Sequence, residues 1–320
     1  MTTAPTKAPA PVQLESRVSS KKVVADGVVE LTLDVPGDWV AWEPGAHIDL
    51  FLTDELTRSY SLCGDPAERN QYRVAILREA DGKGGSKFVH DEIQVGQALP
   101  LLSPLNHFRL EPSPKYLFIA GGIGITPIIP MIQAAEAAGA EWELLYGGRR
   151  IESIAYRAEL EEYGDRVTFQ PEDTMGRLDL DSLLGTPRAD TLVYTCGPEP
   201  LLAAIEDRMG PWPDGSLHLE RFAANASAFK DTDTPFEVVF ARSGQSAIIE
   251  PGVSILDKAE ELGVFYLKSC SEGICGTCET EVLEGDADHR DSVLTPEDRA
   301  AGSVMPCVAR CLGDRLVLDL

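Results

Sequence analysis

Residues 269–278 read SCSEGICGTC, and this stretch decides the fold of the C-terminal part of the chain. It places Cys270, Cys275 and Cys278 in the pattern C-x4-C-x2-C, and 28 residues separate Cys278 from Cys307. The chain has 7 cysteines, an odd number, and this spacing is that of metal ligands rather than disulfides. The pattern therefore suits a protein of a reducing compartment.

Three thiolates on a tight loop and a fourth from a distant segment can enclose two irons and their sulfides, as in plant-type [2Fe–2S] clusters. Gly273 and Gly276 allow the backbone to curl and turn N–H groups toward the sulfurs. The loop has no His, which argues against a Rieske centre. Zinc is the alternative, with Cys307 and Cys311 as a second ligand hook, and Cys311 also competes with Cys307 as fourth cluster ligand.

The cysteine loop, the closing LVLDL at 316–320 and their C-terminal position resemble the phthalate dioxygenase reductase family, from about Val12 onward. Its members are reductase components of two-component Rieske oxygenases, including vanillate demethylase reductases. The resemblance implies a flavin-binding antiparallel β-barrel, an α/β nucleotide-binding domain of the ferredoxin-reductase type and a C-terminal β-grasp ferredoxin domain. It also favours Cys307 as the fourth ligand, because the family match includes Met305 and Pro306.

The order of predicted strands and helices along the chain predicts the same three domains. Short β-rich runs at 28–35, 47–52 and 72–78, separated by Pro, Gly and Asp, predict an antiparallel barrel. From Tyr116 onward strands alternate with helices, one of them predicted at 153–163, which indicates a parallel sheet covered by helices. The predicted divisions are a disordered tail at 1–11, the barrel at 12–111, the nucleotide domain at 112–223, a linker at 224–234 and the ferredoxin domain at 235–320.

The sequence RSYSL at 58–62 is an R-x-Y-S flavin motif, formed by Arg58, Ser59, Tyr60 and Ser61. On a strand, Arg58 and Tyr60 share one face, where a guanidinium suits a phosphate and an aromatic ring can pack on the isoalloxazine. Ser61 can then hydrogen-bond the flavin near N5, the atom that receives hydride.

A glycine-rich loop, GKGGS at 82–86, follows a strand and precedes a possible helix start. Backbone N–H groups of such a loop favour an anion. The family resemblance implies that the loop holds the phosphate of FMN through Gly84, Gly85 and Ser86, and FAD is the alternative because related barrels hold it with the same R-x-Y-S motif.

The sequence AGGIGITP at 120–127 lies between a strand and a helix and is not G-x-G-x-x-G. Its small residues let backbone amides approach a pyrophosphate, with Thr126 expected to cap the helix and Pro127 to occupy its first position. The predicted nucleotide-binding residues in this loop are Gly121, Gly122, Gly124, Thr126 and Pro127.

A second nucleotide motif, CGPE at 196–199, follows another strand. The resemblance implies that Cys196 and Gly197 line the nicotinamide pocket and that Phe222 is an aromatic gate near the flavin. Arg149 and Arg150 could meet the 2′-phosphate of NADPH, whereas the resemblance favours NADH.

Charge and composition exclude several classes of protein. The 320 residues carry a net charge of −24, which argues against nucleic acid and anionic membranes as partners. The uncharged stretch 116–135 has the length of a membrane span, but its glycines and prolines predict strand, loop and helix instead. Because the N-terminus has no apolar segment, we expect a cytoplasmic location. We also expect a monomer.

The function predicted from these features is electron transfer from NADH to FMN, then to the cluster, and then to a Rieske oxygenase acting on an aromatic or related small acid. No catalytic acid or base is expected, and the five His are interpreted as structural or surface residues. One alternative is a general donor to a soluble ferredoxin or a haem protein. Another is a redox-sensing or relay subunit without turnover.

Overall fold

The computed structural model describes residues 11–223, 230 and 232–320. The predicted tail therefore lies almost entirely outside the described residues, as does most of the predicted linker. The three predicted folds are confirmed: an antiparallel barrel, a parallel α/β sheet and a small mixed sheet follow one another along the chain.

The barrel consists of two antiparallel sheets, β1-β7-β4-β5 and β2-β3-β6, which single bridges join at Leu62–Val74 and Arg17–Ala98. Alternate strand residues such as Leu31 and Leu33 fill its interior. Its elements are β1 Gln13–Leu14, β2 Arg17–Ala25, β3 Val28–Asp34, β4 His47–Phe51, β5 Thr57–Ser61, β6 Gln71–Leu77, α1 Gly85–Asp91 and β7 Leu101–Leu105.

All five strands of the second sheet run parallel, in the order β10-β9-β8-β11-β12. Helices cover both faces of this sheet. On β8, Phe118 packs in one hydrophobic core with the helical residue Ile128. The next residue, Ile119, packs in a second core with the helical residue Ile205. The elements are β8 Lys115–Gly121, α2 Ile125–Ala138, β9 Glu141–Gly148, α3 Arg157–Glu161, β10 Val167–Pro171, α4 Glu172–Met175, α5 Leu180–Leu184, β11 Thr191–Cys196, α6 Glu199–Met209 and β12 Leu217–Glu220.

The helix predicted at 153–163 is shorter than expected, because only Arg157–Glu161 is α-helical. A 3-10 turn at Ile151–Ser153 and the short α3 replace it. Between them Tyr156 has a left-handed φ of 58°, and its buried hydroxyl donates a hydrogen bond of 2.9 Å to Glu30 of the barrel. This tertiary contact overrides the local helical preference of the segment.

The ferredoxin domain has a sheet of order β14-β13-β19-β15-β17, in which β13 and β19 are parallel. Helix α7 begins with a capping box between Ser254 and Asp257. The elements are β13 Phe236–Phe240, β14 Gln245–Ile249, α7 Ile255–Glu261, β15 Thr280–Glu284, β16 Ala287–Asp288, α8 Pro296–Ala300, β17 Ser303–Val304, β18 Arg310–Cys311 and β19 Arg315–Leu318.

Within the described part of the chain, none of the helices has the length and apolar character that a membrane crossing requires. The uncharged stretch 116–135 instead forms β8, a 3-10 turn at Gly122–Gly124 and most of α2.

Candidate functional site

The four predicted cluster ligands form two pairs of thiols. The neighbouring thiols of Cys270 and Cys275 interact, which lowers the pKa of Cys270 and raises that of Cys275. The thiol of Cys307 likewise interacts with that of Cys278, and this interaction and burial raise the pKa of Cys278. All seven cysteines of the chain are free thiols, and Cys275, Cys278 and Cys307 are buried.

Glycines shape the ligating loop as the sequence predicts. Gly273 and Gly276 have φ angles of 72° and 78°, which side chains rarely adopt. A Cβ at Gly276 would lie 2.1 Å from Nε2 of His107 in the barrel, so a larger residue would have to displace the His107 ring. The N–H of Glu272 points at the sulfur of Cys270 over 3.3 Å, the kind of donor that a thiolate ligand accepts.

Cys311, the competing fourth ligand, belongs to a different environment. It lies in β18, and its sulfur is 3.3 Å from both the carbonyl of Arg315 and the N–H of Gly313. The thiol of Cys307 interacts with that of Cys278, whereas among the described residues no contact joins Cys311 to another cysteine thiol.

The two predicted flavin segments lie side by side. A guanidinium nitrogen of Arg58 donates to the carbonyl of Lys83 at 3.1 Å, which holds the arginine over the glycine loop. A Cβ at Gly85 would be only 2.6 Å from Cγ of Arg58, so the loop depends on glycine there. Ser86 accepts a hydrogen bond of 3.1 Å from the N–H of Glu79, which anchors the loop to the end of β6.

The two serines of the flavin motif, Ser59 and Ser61, contact the two domains that adjoin the barrel. Ser59 donates to the carboxylate of Asp49, and its hydroxyl is 3.1 Å from that of Ser269 in the cysteine loop. Ser61, two residues along the strand, is hydrogen-bonded to Glu220 of the nucleotide domain at 3.4 Å. Burial raises the pKa of the Tyr60 hydroxyl, and the charge of Arg58 opposes that shift.

The two nucleotide loops are packed against each other through glycines. A Cβ at Gly121 would lie 2.7 Å from Cδ of Pro198, and one at Gly124 would lie 2.2 Å from the carbonyl oxygen of Cys196. A Cβ at Gly197 would come within 3.1 Å of Gly121 Cα. Gly122 differs, because it has a φ of 55° and no protein atom near its Cβ position, so it borders open space.

The expected roles of Thr126 and Pro127 in capping are wrong. Helix α2 begins at Ile125, and its cap is Gly124, which already has helical angles because a 3-10 turn precedes the helix. Thr126 therefore lies inside the first turn and donates its hydroxyl to the carbonyl of Ile123 at 2.9 Å. Pro127 is the third helical residue, still within the turn that tolerates proline.

Glu220 is a functional candidate that the motif analysis did not single out. Its carboxyl is 3.4 Å from the Ser61 hydroxyl and 4.0 Å from the Cys196 sulfur, so it joins the flavin motif to the C-G-P motif. Burial raises the pKa of Glu220 to about 8, with the Ser61 hydrogen bond opposing. Burial and the nearby Glu220 also raise the pKa of Cys196. Glu220 is the last residue of β12, and no motif in the sequence marks it.

The other predicted nucleotide residues lie at the edge of this site. Phe222 is 39% exposed, next to residues outside the described part. Arg150 forms an ion pair of 3.1 Å with Asp26 of the barrel, and Arg149 is exposed. The N–H of Asp173, after β10, donates to the carbonyl of Arg149 at 3.1 Å, so this backbone contact fixes the position of Arg149.

Two domain families match parts of this chain. The 2Fe-2S iron-sulfur cluster binding domain matches residues 239–312, and the oxidoreductase NAD-binding domain matches residues 118–207. The phthalate 4,5-dioxygenase oxygenase reductase subunit of Pseudomonas putida is 38% identical over 312 residues, which are 95% of this chain and 96% of that protein.

Solved structures that resemble the whole chain include the following two. Phthalate dioxygenase reductase has a TM-score of 0.71 and 34% identity, over 96% of this chain and 98% of the other. An intact type IV self-sufficient cytochrome P450 monooxygenase has a TM-score of 0.90 and 38% identity, over 99% of this chain. This chain spans only 42% of the length of that P450 protein.

The fold and the matched domains define an electron-transfer oxidoreductase with a nucleotide-binding domain and a [2Fe–2S] domain. Together with the relatives and the solved structure, they show that the chain belongs to the phthalate dioxygenase reductase family of oxygenase reductases.

Proposed function

We propose that this chain takes electron pairs from NADH onto bound FMN and passes them singly through a [2Fe–2S] cluster. The proposed acceptor is the terminal Rieske oxygenase component of a system that acts on aromatic or related small acids.

One observation carries the proposal: a single strand touches both neighbouring sites. Ser61 of β5 contacts Glu220 beside the C-G-P loop, and Ser59 of the same strand contacts Ser269 in the cysteine loop. A flavin on this strand would lie between the nucleotide and the cluster. Such a serial arrangement is needed because NADH gives up two electrons at once and a [2Fe–2S] cluster accepts one, and bound FMN supplies the conversion.

The proposed flavin site uses the positive charge of Arg58 and the amides of the loop Gly84, Gly85 and Ser86 for the phosphate. The residues fit the group, because Arg58 is held beside this loop and no side chain projects from its glycines. Tyr60 would pack on the ring system, and Ser61 would bond its edge. The neutral form of Glu220 keeps a proton beside Ser61 at neutral pH.

The proposed nucleotide site lies between the two glycine-containing loops. Gly121, Gly124 and Gly197 bring the loops together, and Gly122 leaves space for a pyrophosphate. Cys196, buried at the end of β11, would line the nicotinamide pocket next to Glu220.

The proposed cluster ligands are Cys270, Cys275, Cys278 and Cys307. Their pairing matches a cluster in which each of two irons takes two thiolates and two bridging sulfides. A zinc ion needs four ligands around one point.

The visible spectrum of the purified protein tests the proposal. We expect flavin and iron–sulfur absorption that NADH bleaches, and FMN as the flavin released by acid. Protein that binds no flavin, or whose absorption NADH leaves unchanged, would refute it. Release of FAD alone would refute the phosphate assignment to residues 84–86.

A haem protein is the second candidate acceptor. The observation that favours it is the high structural similarity, with a TM-score of 0.90, to the self-sufficient P450 monooxygenase. Comparing the rates of electron delivery to a purified Rieske oxygenase and to a purified P450 distinguishes the two. Faster delivery to the P450 would replace the Rieske oxygenase as the proposed partner.

A further inference from the structure

The cysteine loop is docked against the flavin barrel through a small set of polar contacts, which we call the docking seam. Lys83 of the glycine loop forms an ion pair with Glu272 of the cysteine loop. Ser59 of the flavin motif meets Ser269 at 3.1 Å. Both flavin segments thus contact the ligating loop directly.

Asp49 lies at the centre of the docking seam. It is on β4, directly opposite Ser59 of β5, and it is only 2% exposed. Its carboxylate accepts one hydrogen bond from Ser59 and another, of 2.5 Å, from the hydroxyl of Thr277. One buried carboxylate therefore joins the flavin strand to a residue that lies between two cluster ligands.

Elsewhere in the docking seam, the cysteine loop packs closely against the barrel beside Asp49. Thr277 is 5% exposed, and the neighbouring Gly276 packs on His107 with no room for a Cβ. The ring of His47 stacks with that of His107 at a centroid distance of 6.4 Å. Because a buried carboxylate is costly unless hydrogen bonds satisfy it, the hydroxyl of Thr277 stabilises Asp49 in addition to that of Ser59.

We propose that Asp49 is a positioning residue, which seats the ligating loop on the flavin strand and thereby sets the rate of electron transfer from flavin to cluster. This inference rests on the proposed function. One NADH gives up two electrons and releases one proton to solvent. A bound [2Fe–2S] cluster would accept these electrons one at a time and pass each to the acceptor before it takes the next, and no bond is made or broken at Asp49.

The test compares full-length variants that retain their flavin and iron. In Asp49→Ala and Thr277→Val, NADH should reduce the flavin at the parent rate, whereas the following bleaching of the cluster should slow about tenfold or more. Thr277→Ser keeps the hydroxyl and should restore the parent rate. Stopped-flow absorption separates the two steps.

Deuterium exchange provides a readout that is independent of turnover. Peptides covering residues 267–279 should exchange faster in Asp49→Ala and Thr277→Val than in the parent protein. The matched control is Asp34→Ala, which removes an exposed cross-strand partner of Ser19, hydrogen-bonded at 2.7 Å, and should change neither readout. If Asp49→Ala does not fold, Asp49→Asn keeps the volume and one acceptor and should show a smaller effect in the same direction.

Parent rates of cluster bleaching in both Asp49→Asn and Thr277→Val would overturn the inference. If NADH does not reduce the flavin of the parent protein, the proposed function is refuted, which is a different result. In that case faster deuterium exchange in the variants would still show that Asp49 holds the seam, and unchanged exchange would show that it does not.

Discussion

The hydroxyl of Ser61 lies 3.4 Å from a carboxyl oxygen of Glu220, across the boundary between the barrel and the nucleotide domain. Ser61 is the last residue of β5, and Glu220 is the last residue of β12. Burial raises the pKa of Glu220 to about 8, so this carboxyl is neutral at pH 7. The pair thus places a protonated acid where the flavin and nicotinamide motifs meet.

Replacement of Glu220 by Gln should make folding stability less sensitive to pH. The pKa of Glu220 rises from 4.5 to about 8 on folding, so the unfolded chain loses a proton that the folded chain keeps. Stability is therefore lost as the pH rises from about 4.5 to about 8, and this loss amounts to a few kcal/mol at most. The Gln side chain does not ionise, so this pH-dependent loss of stability should be absent in the variant.

Thermal unfolding of the parent and Glu220→Gln between about pH 5 and pH 9 checks this prediction. The advantage of the variant should grow with pH and level off above about pH 8. A difference that is the same at every pH would show that Glu220 does not titrate between the folded and unfolded states.

Replacement of Cys275 by Ser should separate the two redox centres. The change removes a thiolate from one pair and substitutes a harder, weaker ligand for iron, so the cluster should be lost or depleted. NADH-dependent reduction of an artificial acceptor that takes electrons from flavin should persist, while delivery to a Rieske acceptor should fall at least about a hundredfold. Iron analysis and the two activities are the measurements.

Cys311→Ser is the matched control, because Cys311 bonds to Arg315 and Gly313. It should leave iron content and both activities nearly unchanged. Loss of the cluster in this control would move the fourth ligand from Cys307 to Cys311. Delivery to the Rieske acceptor by iron-free Cys275→Ser protein would disprove the serial path.

A methyl group at Gly85 should weaken flavin binding. The added Cβ would lie 2.6 Å from Cγ of Arg58, so the guanidinium must move away from the glycine loop. We expect the FMN dissociation constant of Gly85→Ala to rise about tenfold, as measured by fluorescence titration of the flavin-free protein. Gly210→Ala, with no atom within 4 Å of its Cβ position, should bind FMN like the parent, and equal affinity in both variants would argue against the loop as the phosphate site.

NADH should be preferred over NADPH by about a hundredfold in kcat/KM. Arg150 is already engaged by Asp26, so its charge is partly neutralised before a 2′-phosphate could meet it. Arg150→Ala should leave the ratio nearly unchanged, as should Arg157→Ala, whose partner is Glu161. A reversed ratio that Arg150→Ala abolishes would instead assign the arginine to phosphate binding.

Electron delivery to the acceptor should weaken as salt increases. Residues 234–320 contain 16 acidic and 7 basic residues, a net charge of −9, so a basic surface on the acceptor would attract this domain. Raising ionic strength from about 0.01 M to about 1 M shortens the Debye length roughly tenfold and should lower the apparent second-order rate constant by about tenfold or more. NADH reduction of the flavin is the internal control, and a delivery rate independent of salt would count against electrostatic docking.

Local patterns predicted three strands of the barrel closely. The strands predicted at 28–35, 47–52 and 72–78 each agree with β3, β4 and β6 to within one residue at either end. They were predictable because alternation and turn residues are properties of neighbouring positions. The helix predicted at 153–163 and the cap at Thr126 failed where a buried contact or a preceding 3-10 turn changed the local preference.

The sequence by itself determined the order of the three domains and the spacing of the cysteine loop, because both are written in residues close together along the chain. Only the tertiary structure decided that Glu220 joins Ser61 and that Asp49 joins Thr277, pairs that are 159 and 228 residues apart. An isolated Asp or Glu in a strand pattern carries no sign of its partner. Burial removes these carboxyl groups from water and makes a specific hydrogen-bond donor necessary, and which donor is near depends on how the domains pack.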